Sequence, residues 1–81
     1  MKVMDSETYS EAVAANIKAV MASQKLNRQT VCDLTGIPST TFDRRLAHPE
    51  NSPFNTNELD RIARALGVPI TELVAVEDPT K

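Results

Sequence analysis

The residues best suited to chemistry lie close together: Ser39, Thr40, Asp43, Arg44 and Arg45. At helical spacing, Phe42 and Leu46 sit four apart on one face, and Ser39, Thr40, Asp43 and Arg44 then face outward. A guanidinium is a rigid fork of donors that matches O6 and N7 of guanine, and a hydroxyl can bond several base edges or pack on a thymine methyl. That chemistry is recognition, and Arg44 is the expected guanine contact. Asp43 repels phosphate. It either accepts from a cytosine amino group or pairs with an arginine and orients it, and the pairing is the expectation. Arg45 is expected at a phosphate. Upstream, Arg28 and Gln29 open another helix, whose free N–H groups and positive dipole end suit a phosphate. Gln29 reads equally well as a plain surface residue. Lys25, Asn51 and Ser52 flank this region and are expected to add phosphate contacts. Such contacts set register and carry no base information.

Catalytic constellations are weak by comparison. Cys32 reads as a buried structural thiol, and a nucleophile pair with the single histidine, His48, is set aside because both residues sit on short packing helices. One Cys and one His do not make a zinc site without carboxylates at suitable spacing. Gly36 and Gly67 stand alone, so no phosphate-cradling glycine loop is visible. Tyr9 reads as a packing residue and Met21 as core. No enzyme activity and no cofactor are expected.

Positioning these side chains requires a set of short helices. Helix one should run from about Ser6–Ser10 to Gln24, with Val13, Ile17, Val20 and Met21 as its apolar stripe. Asn27 is a good N-cap for helix two, Val31, Cys32 and Leu34 supply its apolar groups, and Gly36 permits the left-handed turn that ends it. Ile37 should plug the core between helices two and three. Helix three begins near Pro38–Ser39 and ends near Ala47–His48, because the residue before Pro49 is pushed out of the α region. Asn55 with Glu58 forms a capping box for helix four, whose buried face is Leu59, Ile62, Ala63 and Leu66 and whose stop is Gly67. Pro69 opens a fifth helical turn through about Val74. Residues 1–5 and 77–81 read as flexible tails.

Composition bounds the rest. Eighty-one residues allow one domain, 1–81, and a chain this short buries only about 60–65% of its unfolded surface. With 41% apolar but 4% aromatic residues and no Trp, the core must be aliphatic, as in small helical bundles. No signal peptide or membrane span is visible, so a soluble cytoplasmic protein is expected. The net charge of −2 counts against nucleic-acid binding, but its distribution softens the objection. Residues 1–15 and 67–81 each carry −2, whereas 16–66 holds seven basic against five acidic residues.

The stretch from Leu26 to Val74 resembles the lambda-repressor-like, Cro and phage-repressor (XRE-type) helix-turn-helix domain. Leu26-Asn27 stands where the family opens helix two with Leu-Ser/Thr, and Arg28 stands at its common Gln. Val31-Cys32 matches its Val/Leu-Ala pair, Gly36-Ile37 its Gly-Val, and Phe42 its buried branched residue. Leu59-Asp-Arg-Ile-Ala-Arg-Ala-Leu-Gly-Val68, followed by Glu72-Leu73, is similar to its fourth and fifth helices. The chain departs at Thr35 and Arg45, where the family is usually apolar, and at Pro38, which replaces the usual cap residue. The resemblance implies an all-α, compact bundle of about five short helices with a helix-turn-helix. It implies a sequence-specific transcriptional regulator, a repressor of the phage or Cro sort, whose partner is a double-stranded DNA operator in the nucleoid. Ser39 and Thr40 then fall at the bases. A homodimer could form through Ile70, Leu73, Val74 and Val76, although core packing is the favoured reading of that patch. The acidic balance supports a second class, an antitoxin-like or anti-repressor protein-interaction module.

Overall fold

The computed structural model describes residues 6–74, with side chains from Tyr9 onward. Among these residues it is all-helical: α1 Ser6–Ser23, α2 Arg28–Thr35, α3 Ser39–Ala47, α4 Thr56–Leu66 and α5 Ile70–Val74. The expected tails, with Met1, Met4 and Val76, lie outside the described residues. None of the described helices is long and apolar enough to cross a membrane.

Local signals set most boundaries. Asn27 accepts from the Thr30 N–H at 2.8 Å and so starts α2. Gly36 (φ 77°) ends α2 in the left-handed region and donates its N–H to the Cys32 carbonyl at 2.8 Å. Asn55 and Glu58 exchange two bonds, of 2.8 and 3.1 Å, in the expected capping box of α4. Gly67 (φ 71°) closes that helix, with Val68 donating back to Ala63. α1 ends in the same way without glycine. Lys25 takes φ 57°, donates to the Ala22 carbonyl, and lets Leu26 donate to Met21. This pair of bonds is a Schellman closure, carried here by a residue that favours the conformation less than glycine.

The helices bury one continuous core. Ile17, Val31, Phe42, Ile62 and Leu73 are its fully enclosed members, with Val13, Met21, Ile37, Leu46, Leu59 and Leu66 around them. Each large aliphatic or aromatic residue so enclosed stabilises the fold by about 1.5–3 kcal/mol relative to exposure. α1 packs on α3 and α5, α2 on α3 and α4, and α4 on α5. Two side-chain amides tie the far ends: Gln24, just past α1, donates to the Leu66 carbonyl and Asn16 of α1 to the Leu73 carbonyl at 3.0 Å. Carbonyls at helix C-termini have no partner within their own helix, so these bonds cap α4 and α5 from outside.

Two packing expectations are corrected. Leu34, expected among the apolar groups of α2, is 59% exposed, and Thr35 goes inside instead. The phase set by Val31 and Cys32 brings i+4, not i+3, to the core. The Thr35 hydroxyl meets the polar cost by donating to the Val31 carbonyl at 2.8 Å and accepting from the Ile37 N–H at 3.3 Å. Tyr9 is 42% exposed rather than packed. The patch on α5 turns mainly inward: Leu73 is wholly buried, and Ile70 and Val74 pack partly buried on the core.

Candidate nucleic-acid interface

α2, the turn at Gly36 and α3 form the helix-turn-helix unit. Thr35 and Ile37 lock the turn from within, and Phe42 and Leu46 fix the rotation of α3. Phe42 also meets Phe54 edge-on, with ring centroids 5.7 Å apart. With those two residues inward, Ser39, Thr40 and Arg44 stand exposed. Their side chains make no hydrogen bond or ion pair among the described residues. This is a row of unspent donors and acceptors on one side of a short helix.

The start of α2 is brought to the same side. Arg28 Nη1 lies 3.1 Å from Asp43 Oδ1, and the two side chains are 62% and 46% exposed. The expected pairing of Asp43 with an arginine is therefore present, and its partner is Arg28 of α2, not a neighbour on α3. An exposed pair of this kind contributes only about 0–1 kcal/mol to folding. Gln29 is exposed and donates along its own helix to Asp33 at 2.9 Å.

Arg45 goes elsewhere. Its Nη1 donates to the Pro53 carbonyl at 3.0 Å. Its Nε lies 2.9 Å from Glu58 Oε1 but off the line of the N–H, so that contact is an ion pair and not a hydrogen bond. The side chains are only 22% and 13% exposed. One residue past Arg44 on a helix is a rotation of about 100°, which carries Arg45 from the outer row to the α3–α4 loop. The structure thus brings Arg28 and Asp43 together and leaves Arg45 out. Lys25 and Asn51 are exposed and Ser52 half-buried. The backbone N–H groups of Asn51 and Ser52 both donate to the His48 carbonyl.

Cys32 is buried as expected. Burial pushes its thiol up from the ordinary range, and the carboxylates of Asp43 and Asp33 add to the rise while Arg28 opposes it. An unactivated, enclosed thiol of this sort is a packing group. His48 Nδ1 faces Glu50 at 3.8 Å. Among the described residues, no three His, Cys, Asp or Glu side chains gather as a metal site. Sequence reasoning missed the Arg45–Glu58–Pro53 brace and the amide caps from Asn16 and Gln24. The only available signal for the brace was a charged residue at a position expected to be apolar.

An all-helical bundle with a glycine-hinged helix pair, whose second helix is polar outside and anchored inside, defines a helix-turn-helix protein. The chain matches the Cro/C1-type HTH DNA-binding domain over residues 16–79 and belongs to that family. No curated protein and no solved structure gives a significant match.

Proposed function

We propose that this chain is a sequence-specific regulator of the phage-repressor or Cro sort that acts by occupying a double-stranded DNA operator. α3 lies in the major groove, where Ser39, Thr40, Asp43 and Arg44 meet base edges and Arg44 takes a guanine. Arg28, Gln29, Lys25, Asn51 and Ser52 hold the backbone. Arg45 is left out of this set, because its guanidinium is committed to Pro53 and Glu58. No catalytic step or cofactor enters. The observation that carries the reading is the exposed, unpartnered row of Ser39, Thr40 and Arg44 beside the Arg28–Asp43 pair. A module this small buries about 600–1,000 Å² on DNA, which suits two copies on half-sites about one helical turn apart.

The test is selection of bound sites from a random duplex pool at about 100 mM salt, where phosphate contacts still hold, with Arg44→Ala beside it. An enriched motif that Arg44→Ala degrades supports the reading, and a palindromic motif adds the two-copy arrangement. No enrichment from protein shown to be folded overturns it in favour of the protein-interaction module.

A further inference from the structure

Among the described residues, the Arg28–Asp43 pair is the one contact that links α2 and α3 across their outer side through charge. It is too exposed to serve as a staple of the fold, and both members are candidates for a DNA contact. Each also has a different preferred partner on a duplex. A guanidinium at the first residue of α2 suits a phosphate, helped by the helix N-terminus. A carboxylate in the major groove suits the cytosine N4 amino group, which presents donors. The adenine amino group is a poorer partner, because the acceptor N7 beside it repels a carboxylate. Guanine and thymine offer acceptors there.

We infer that Arg28 and Asp43 form an exchangeable pair through which one base decides whether a backbone contact is made, an inference that rests on the DNA-reading function proposed above. Where cytosine lies under Asp43, the carboxylate moves to the N4 amino group and Arg28 is released to a phosphate. Both charges are then satisfied. Where another base lies there, Asp43 has no donor in the groove and keeps Arg28, so the phosphate contact is lost along with the base contact. Asp43 is in this sense a specificity-determining residue that acts partly through Arg28. The exchange makes and breaks only hydrogen bonds and ion pairs. It gives a chain of net charge −2 a way to withhold one of its few phosphate contacts from wrong sequences.

The experiment starts from the selected site and finds the base pair whose preference disappears in Asp43→Ala. Four duplexes differing only there are titrated by fluorescence anisotropy across a salt series with wild type, Asp43→Ala, Arg28→Gln and the double variant, each first shown to be helical by circular dichroism. For wild type, cytosine is expected to win by about fivefold or more, and its slope of log affinity against log salt should be steeper by about 0.9, one phosphate's worth. In Asp43→Ala the slope should be the same steep value on all four duplexes. In Arg28→Gln it should be the same shallow value on all four. A wild-type slope independent of the base, or a base-dependent slope that survives Asp43→Ala, overturns the exchange while leaving DNA reading intact. Folded wild type that binds no duplex removes the parent function and the exchange together.

Discussion

α3 and α4 are nearly equal in length and solve opposite problems. α4 closes its own ends: Asn55 and Glu58 cap its start, Gly67 ends it, and Leu59, Ile62, Ala63 and Leu66 give it one buried stripe. α3 begins after Pro38 with no side-chain cap bond, ends at His48 without the left-handed turn, and buries only Phe42 and Leu46. Its remaining surface is hydroxyl, carboxylate and guanidinium. The helix that holds the fold is specified by its own sequence, whereas the helix that faces outward is held by its neighbours. Glu58 joins the two, since the carboxylate that caps α4 also holds Arg45 of α3.

The contrast can be broken at its anchor. Phe42→Ala should cost about 3–5 kcal/mol, enough to unfold a domain of this size, so its thermal transition should be lost or lie far below wild type. An unchanged melting temperature would mean that α3 is held by something other than its two anchors. Gly36→Ala is expected to cost about 1–2 kcal/mol from backbone conformation alone, because a Cβ there meets nothing within 4 Å. Denaturant titration checks this, and a much larger loss would point to a turn more crowded than the structure shows. Asn55→Ala should cost about 1 kcal/mol, and the cost should be non-additive with Arg45→Ala, because both act through Glu58. Strict additivity in a double-mutant cycle would separate the two helices again.

Lys25→Gly sharpens the comparison from the other side. Giving α1 the same terminal residue as α4 should raise stability by about 0.5–1 kcal/mol, while removing a proposed phosphate contact should weaken DNA binding. Parallel changes in melting temperature and affinity would contradict that division. The smallest effect concerns pH. The folded state raises the Cys32 thiol above its ordinary range, so the unfolded chain gives up that proton first as pH rises. The stabilising contribution is then present below the ordinary thiol range and is lost as pH climbs through it toward the folded value. Wild type should lose stability over that alkaline interval relative to Cys32→Ala, as read by denaturant titration at several pH values. Parallel pH profiles would refute the assignment.

The sequence was most legible where a helix end depends on residues a few positions apart. Asn27, Gly36, the Asn55–Glu58 box and Gly67 all act as their local chemistry predicts. The buried faces of α1 and α4 follow from spacing for the same reason. Legibility failed where tertiary contacts decide. Leu34 looked like a core residue until the phase of α2 put Thr35 inside. Arg45 looked like a phosphate ligand because nothing near it in sequence reveals that Pro53 and Glu58 fold back onto it. For the outward row, exposure was legible from the phase of Phe42 and Leu46. The partner of Asp43 was not, because Arg28 lies fifteen positions away on another helix.

The exposed row on α3 contributes no apolar surface to the core and no bond to its neighbours. Ser39, Thr40 and Arg44 can therefore drift under mutation without eroding the melting temperature, since surface changes away from caps and buried contacts usually shift stability by about 0.5 kcal/mol or less. Asp43 is bound by a narrower rule, because exchanging it also resets Arg28. Under the DNA-reading function proposed above, a lineage retargets this domain through three nearly neutral positions, with the fourth needing a compensating change on α2.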